Sequence, residues 1–236
     1  MEEMVRHLQR EIEKLKKRIL HLGALVETNL REAVQAITSR DESLANKVIE
    51  TDLEVDRIEV DLEEECLKVL ALHQPVAGDL RFLVSLLKIN NDLERIGDLA
   101  VNIAKRARDL AREQPYPFPF DMDAMADKVQ GMVRKSLDAY INHDAKLAYE
   151  VGDADDEIDA TNRTAYAEIE QRIRKHPERL HTLLSLFSVS RYLERIADHA
   201  TNISEDIIYM LEGEIVRHQK AERFRAKPGE ASARTA

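Results

Sequence analysis

The stretch from Leu93 to Ala104 reads L-E-R-I-G-D-L-A-V-N-I-A, and one hundred residues later Leu193 to Ser204 reads L-E-R-I-A-D-H-A-T-N-I-S. Both obey L-E-R-I-x-D-x-A-x-N-I. In each copy a Glu, an Asp and an Asn fall at i, i+4 and i+8, one face of a helix at 3.6 residues per turn. The doubling extends upstream. Asp41-x-x-Leu44-Ala45 matches Asp144-x-x-Leu147-Ala148, and Asp52-x-Glu54-Val55-Asp56 matches Asp155-x-Glu157-Ile158-Asp159. A chain that repeats helical signatures in this order folds as two copies of one helical unit.

The element boundaries follow from periodicity and breakers. Leu8, Ile12, Leu15, Ile19, Leu22 and Val26 step by four and three, a seam on a first helix over about 4–38. Asp41 is an N-cap for a second helix, 42–73, and Pro75 opens a third, 76–113. Alternating Pro115, Pro117 and Pro119 forbid helix and make an extended linker. Helices over 122–141 and 144–175 follow, the latter capped by Asp144, and Pro177 starts a sixth that runs to about 224. The reading is all-α, two tandem three-helix antiparallel bundles. The first spans 1–113, a proline-rich linker 114–121, the second bundle 122–225, and a small polar tail, read as disordered, 226–236. Seven Gly, six Pro and 34% charged residues suit long helices.

Composition removes several classes of function. A net charge of −10 argues against nucleic acid as a main partner and against adsorption to anionic lipid. No apolar run approaches the roughly 20 residues of a membrane span. The start of the sequence lacks an apolar signal core, which points to the cytoplasm. One cysteine, Cys66, allows no internal disulfide and no Cys-rich zinc site, and its place on an apolar rim makes it core.

Helix two carries two apolar rims, Leu44, Val48, Val55, Leu62 and Cys66 on one side, Ile49, Leu53, Val60 and Leu67 on the other. Between them lie Asp52, Asp56, Glu59 and Glu63, so the centre of its inward face reads as acidic. Helix five repeats Asp155 and Asp159 but has Asn162 and Tyr166 where helix two has Glu59 and Glu63. On helices three and six, lines that begin apolar (Leu80 and Leu87; Leu180, Leu184 and Phe187) turn into Glu94, Asp98 and Asn102 and into Glu194, Asp198 and Asn202. Carboxylates crowded between apolar rims repel, protonate or take a cation. An all-oxygen ligand set suits Mg, Ca, Mn or Fe. One multi-carboxylate metal site per bundle is the expectation, with Glu59, Asn102 and Asn202 as additional ligands. The bland alternative is a solvated acidic face, with Arg95 and Arg195 pairing to neighbouring acids. His7, His21, His73, His176 and His181 read as surface or loop residues, and His199 points away from Asp198.

At these residues the chain resembles the PhoU family of phosphate-uptake regulators. The resemblance rests on 93–104, its echo at 193–204, the D-x-x-x-D pairs, and Gly78-Asp79-Leu80-Arg81 after Pro75, and covers all but the tail. It implies a non-enzymatic cytoplasmic adaptor, peripheral to the inner membrane through its partners. It would restrain phosphate import and phosphate-starvation signalling. The implied partners are a phosphate ABC transporter and a sensor histidine kinase, and the implied assembly is a homodimer, which the apolar lines of helices three and six would suit. It also implies metal ions, iron first with Mn, Zn or Mg as alternatives. The ligands carried over are Asp52, Asp56, Glu94 and Asp98, and Asp155, Asp159, Glu194 and Asp198. Asn162 and Tyr166 put second-half occupancy in question. Two other readings compete: a metal-free helical scaffold, and a ferritin-like carboxylate enzyme. The latter needs paired Glu-x-x-His motifs, whereas Glu178 and His181 form a lone one.

Overall fold

A computed structural model describes residues 2–216, with side chains from Arg6 onward. The expected tail at 226–236 and the end of the expected sixth helix lie outside the described residues. Within them the chain is six α-helices: α1 (Glu2–Ser39), α2 (Glu42–His73), α3 (Ala77–Ala111), α4 (Met122–Asn142), α5 (Ala145–Lys175) and α6 (Leu180–Glu212). A single 3-10 turn, Pro177–Arg179, leads into α6.

The helix starts are set by short acidic caps. Asp41, Asp121 and Asp144 each accept a backbone N–H three residues on, from Leu44, Ala124 and Leu147, all at 3.0 Å. The ends are set by left-handed residues. Gln74, His143 and Gly213 close α2, α4 and α6 at φ +46°, +51° and +76°. α6 is therefore shorter than the sequence reading to 224. Gly213 stops it, and the last carbonyls are met by the Gly213 N–H donating to Tyr209 O at 2.9 Å.

The seam of α1 is buried as its spacing predicts, Leu15, Ile19, Leu22 and Val26 all at 1% exposure or less. α1, α2 and α3 pack on one another, as do α4, α5 and α6. The halves are not separate bodies. The most extensive helix contact is α3 on α6, and α1 also touches α4. α3 and α6 run antiparallel, with Arg81 beside Gly213 at one end and Thr182 donating to Glu113 at 2.5 Å at the other. α1 crosses α4 closely at Gly23, where a Cβ would fall 2.7 Å from a methyl of Leu137. One continuous apolar core draws side chains from all six helices, with Tyr116, Phe118 and Phe120 of the linker packed against it.

Candidate functional site

In the first repeat α2 lies against α3 with Val55 buried over Gly97. A Cβ on residue 97 would sit 3.2 Å from Val55 Cγ1 and 3.5 Å from Asp52 Oδ1. Glycine thus admits the Asp52 carboxylate into the groove between the helices. Asp52 is half-buried, and its Oδ1 is enclosed with no hydrogen-bond partner among the described residues. Half-buried Glu94 and Asp98 approach from α3, and Glu59 and exposed Asp56 from α2. Asn90 Nδ2 ties the helices together, donating to Glu59 O at 3.0 Å and to Glu59 Oε1 at 3.2 Å.

The electrostatics record this crowding. Burial first, then the charges of Asp56 and Asp98, push the Asp52 carboxyl up to about 6. Burial and Asp98 push Glu94 up to about 7 against the opposing pull of Arg95. Glu59 is raised by burial, with Glu63 and Asp56 adding to it. Arg95 is the local cation. Its Nε lies 3.3 Å from Glu94 and its guanidinium NH1 lies 3.1 Å from Asp98.

The second repeat is a reduced copy. Asp155 is buried at 4% exposure, Asp159, Glu194 and Asp198 are half-buried, and Asn202 is exposed while Asn102 is half-buried. The cross-helix tie recurs with changed chemistry, Ser190 Oγ donating to Asn162 Oδ1 at 3.1 Å. Burial raises Glu194, opposed by Arg191 at 3.1 Å, with Asp198, Asp159 and Asp155 adding to the rise. Its Oε2 is enclosed without a hydrogen-bond partner among the described residues.

Two sequence readings need correction. The acidic stripe of α2 is not the centre of an inward face. Val48, Val55, Leu62 and Cys66 are fully buried, but the second rim is open, with Leu53 75%, Val60 51% and Leu67 50% exposed. Among the described residues α2 packs only against α1 and α3, and none of them covers that side. The stripe, including exposed Asp56 and Glu63, is the border between core and solvent. Lys88 and Asp92, with Arg81, Arg95 and Arg106, make a polar stripe that helix three read alone places in water, yet these two lie on the α3–α6 seam. Asp92 is 8% exposed and meets His199 Nδ1 at 2.8 Å. Lys88 donates to Asp206 at 3.3 Å and lies 5.4 Å from the ring centre of Tyr209. His199 replaces Leu99 of the first copy, and that asymmetry was the signal available in the sequence. Cys66 is core as read, and burial pushes its thiol up to about 12.

Comparison with known proteins follows this geometry closely. The PhoU domain model matches twice, over residues 19–107 and 122–207, the two halves just described. The chain belongs to the PhoU family. PhoU relatives match over almost their whole length. A Pseudomonas putida protein named phosphate-specific transport system accessory protein PhoU homolog is 40% identical over 92% of this chain and 85% of its own. A homolog of the same name from Aquifex aeolicus is 39% identical over 90% of this chain and 96% of its own. The crystal structure of PhoU from Pseudomonas aeruginosa superposes with TM-score 0.84 at 37% identity, covering 87% of this chain and 99% of that one. The phosphate transport system regulatory protein PhoU from Streptococcus pneumoniae gives 0.81 at 30% identity, over 89% and 99%.

The donor chemistry of these acidic faces fits a hard cation: carboxylate oxygens, raised proton affinities and an enclosed Asp52 oxygen without a partner among the described residues. Among the described residues, however, no group of three or more His, Cys, Asp or Glu side chains stands ready as a ligand cage. The carboxylates share a neighbourhood, and Arg95 already engages two of them. Among the described residues no helix is long and apolar enough to cross a membrane.

Proposed function

We propose that this chain is a non-catalytic accessory and regulatory protein of a phosphate-specific transport system. It would act at the cytoplasmic side as a homodimeric adaptor between the phosphate ABC transporter and a sensor histidine kinase. The observation that carries the reading is the doubled PhoU domain, together with relatives named as accessory proteins of that system that match over 85% and 96% of their own length. The role without catalysis is supported by the names of those relatives, which are accessory and regulatory proteins of transport. The open apolar rim Leu53, Val60 and Leu67 beside an acidic border is a surface fit for docking.

A cation belongs to the same proposal. Asp52, Asp56, Glu94 and Asp98 would hold it in the first repeat, and Asp155, Asp159, Glu194 and Asp198 in the second, with Glu59, Asn102 and Asn202 in reach as helpers. When bound, the ion supplies positive charge that cancels the carboxylate repulsion and fastens α2 to α3. Iron is the first candidate, then Mn, Zn or Mg. A second reading, the metal-free scaffold, is favoured by the Arg95 pairs with Glu94 and Asp98. The ferritin-like reading finds no support, since His181 lies beside Glu113 at 3.5 Å, roughly 20 Å along α6 from Glu194.

The test is a strain lacking this chain, grown in ample phosphate. Phosphate import and starvation-gene output should both rise, and both should return with the wild-type chain. Unchanged import and output would sink the regulator. Metal analysis of protein purified without a metal column separates the two finer readings. Metal near one or more per chain, lost in Asp52→Ala/Asp56→Ala/Glu94→Ala/Asp98→Ala, supports the cation. Background metal in both supports the scaffold.

A further inference from the structure

The second repeat departs from the first at one place in a way its packing does not require. Between α5 and α6 an open pocket of about 370 Å³ is lined by Asn162, Arg163, Tyr166, Phe187 and Arg191. The matching positions of the first repeat are Glu59, Val60, Glu63, Leu87 and Asn91. The two carboxylates are replaced by an amide and a phenol, Val60 and Asn91 by guanidiniums, and Leu87 by a second aromatic ring. The charge of the site is reversed within a chain whose net charge is −10.

Three of these side chains are not core filling. Tyr166 is 57% exposed, and Arg163 and Arg191 are exposed. Tyr166 and Phe187 nonetheless meet edge to face, centroids 5.6 Å apart at 62°, so two ring surfaces stand at the pocket wall. Asn162 is 8% exposed and held by Ser190 through its Oδ1, which leaves its NH2 as the donor end. Arg191 spends one N–H on Glu194, and a guanidinium carries five. Aromatic walls plus paired forks and an amide donor are the means by which proteins hold a flat ring joined to a phosphate. The volume falls within the roughly 300–1,000 Å³ usual for small-molecule sites.

We propose that this pocket binds a nucleoside phosphate, with the base against Tyr166 and Phe187 and the phosphate between Arg163 and Arg191. The pocket adjoins the acidic face of the second repeat through the Arg191–Glu194 pair, and its lining supplies the ligand's contacts without a cation. A bare phosphate would leave the rings unused, and a neutral nucleoside would leave the guanidiniums unused.

The experiment uses the intact protein, isotope-labelled, in metal-free buffer, titrated with AMP and ADP and, in parallel, with adenosine and inorganic phosphate. Backbone amide shifts and calorimetry are read together. AMP or ADP should saturate shifts centred on Asn162, Tyr166, Phe187 and Arg191, and adenosine and phosphate should each bind at least tenfold more weakly. Arg163→Gln/Arg191→Gln should weaken AMP or ADP at least tenfold, and Tyr166→Ala at least fivefold. Absent saturation, shifts centred elsewhere, phosphate binding as tightly as AMP or ADP, or undiminished binding by folded variants would each overturn the proposal. Circular dichroism checks the folding of the variants, and if they fail to fold the wild-type shift map and the ligand series decide alone.

Discussion

Asp52 sits where three neighbours work against its ionisation: the apolar groove over Gly97, the Asp56 charge one turn on, and the Asp98 charge across the helix pair. A carboxyl whose folded pKa lies above its unfolded value holds its proton more tightly when folded. The stability it adds is fully present below the unfolded value near 4, and is lost as pH rises through about 6 for Asp52 and about 7 for Glu94. Asp52→Asn removes the charge and keeps the shape. In metal-free protein the variant should therefore match wild type near pH 4.5 and exceed it at pH 8. Discounted for solvent screening of this half-buried group, the gain is on the order of 1 kcal/mol. Chemical denaturation at the two pH values measures it, and an equal difference at both would refute the groove as its cause. Under the proposed cation binding, adding the ion at pH 8 reverses the order, since wild type alone keeps the full ligand set. The residue types, their spacing and their doubling were all legible in the sequence. The Asn90 tie to Glu59 and the open flank of α2 were not, because periodicity ranks faces without saying how many neighbours cover them.

At the scale of helices, the sequence carried caps and seams well because both are local. Asp41 and Asp144 bond three residues ahead, and the α1 seam repeats every three or four. The overrun of α6 has the opposite origin. Gly213 is a stop signal, yet Ile215 and Val216 continue an apolar rhythm beyond it, and rhythm without the left-handed cap extends the helix. The α3–α6 seam escaped for a related reason: Lys88, Asp92, His199 and Asp206 look solvated when each helix is read alone. Facing each other they are mutually paired. Lys88→Met should cost about 1–2 kcal/mol, less than a fully buried pair because Lys88 keeps 37% of its side-chain exposure. A double-mutant cycle with Asp206→Asn should show coupling above about 0.5 kcal/mol, and additive effects would mean that the pair is incidental. The open rim behaves differently. Leu53→Ser/Leu67→Ser removes side chains that are 75% and 50% exposed, so stability should move by less than about 1 kcal/mol. Capture of the transporter's ATP-binding subunit should fall at least fivefold if this rim docks a partner. Unchanged capture would move docking to another face.

The whole molecule joins two repeats through the faces that each would otherwise leave apolar. α3 supplies Leu99, Ala100, Val101, Ile103 and Ala104 to the core and α6 supplies Ile196, Ala197, Ala200, Ile203 and Ile207, all in one continuous cluster. A three-helix unit of about 100 residues buries a smaller share of its surface than a chain twice as long, so each half depends on the other for part of its stability. Sequence repeats invite a reading as two independent domains, and the extended linker between α3 and α4 reinforces it. The contact of α3 with α6 argues for one cooperative unit. Urea unfolding followed by far-ultraviolet circular dichroism should therefore give a single transition. Native-state amide exchange should return the same opening free energy for the core of α2 and the core of α5, within about 1 kcal/mol. Lys88→Met should lower both by the same amount, although it touches neither helix. A biphasic transition, or a loss confined to one repeat, would show that the halves melt separately and that a signal received at one acidic face need not be felt at the other. Coincident loss would mean that whatever tightens α2 on α3 also steadies α5 on α6, an energetic coupling between the two acidic faces.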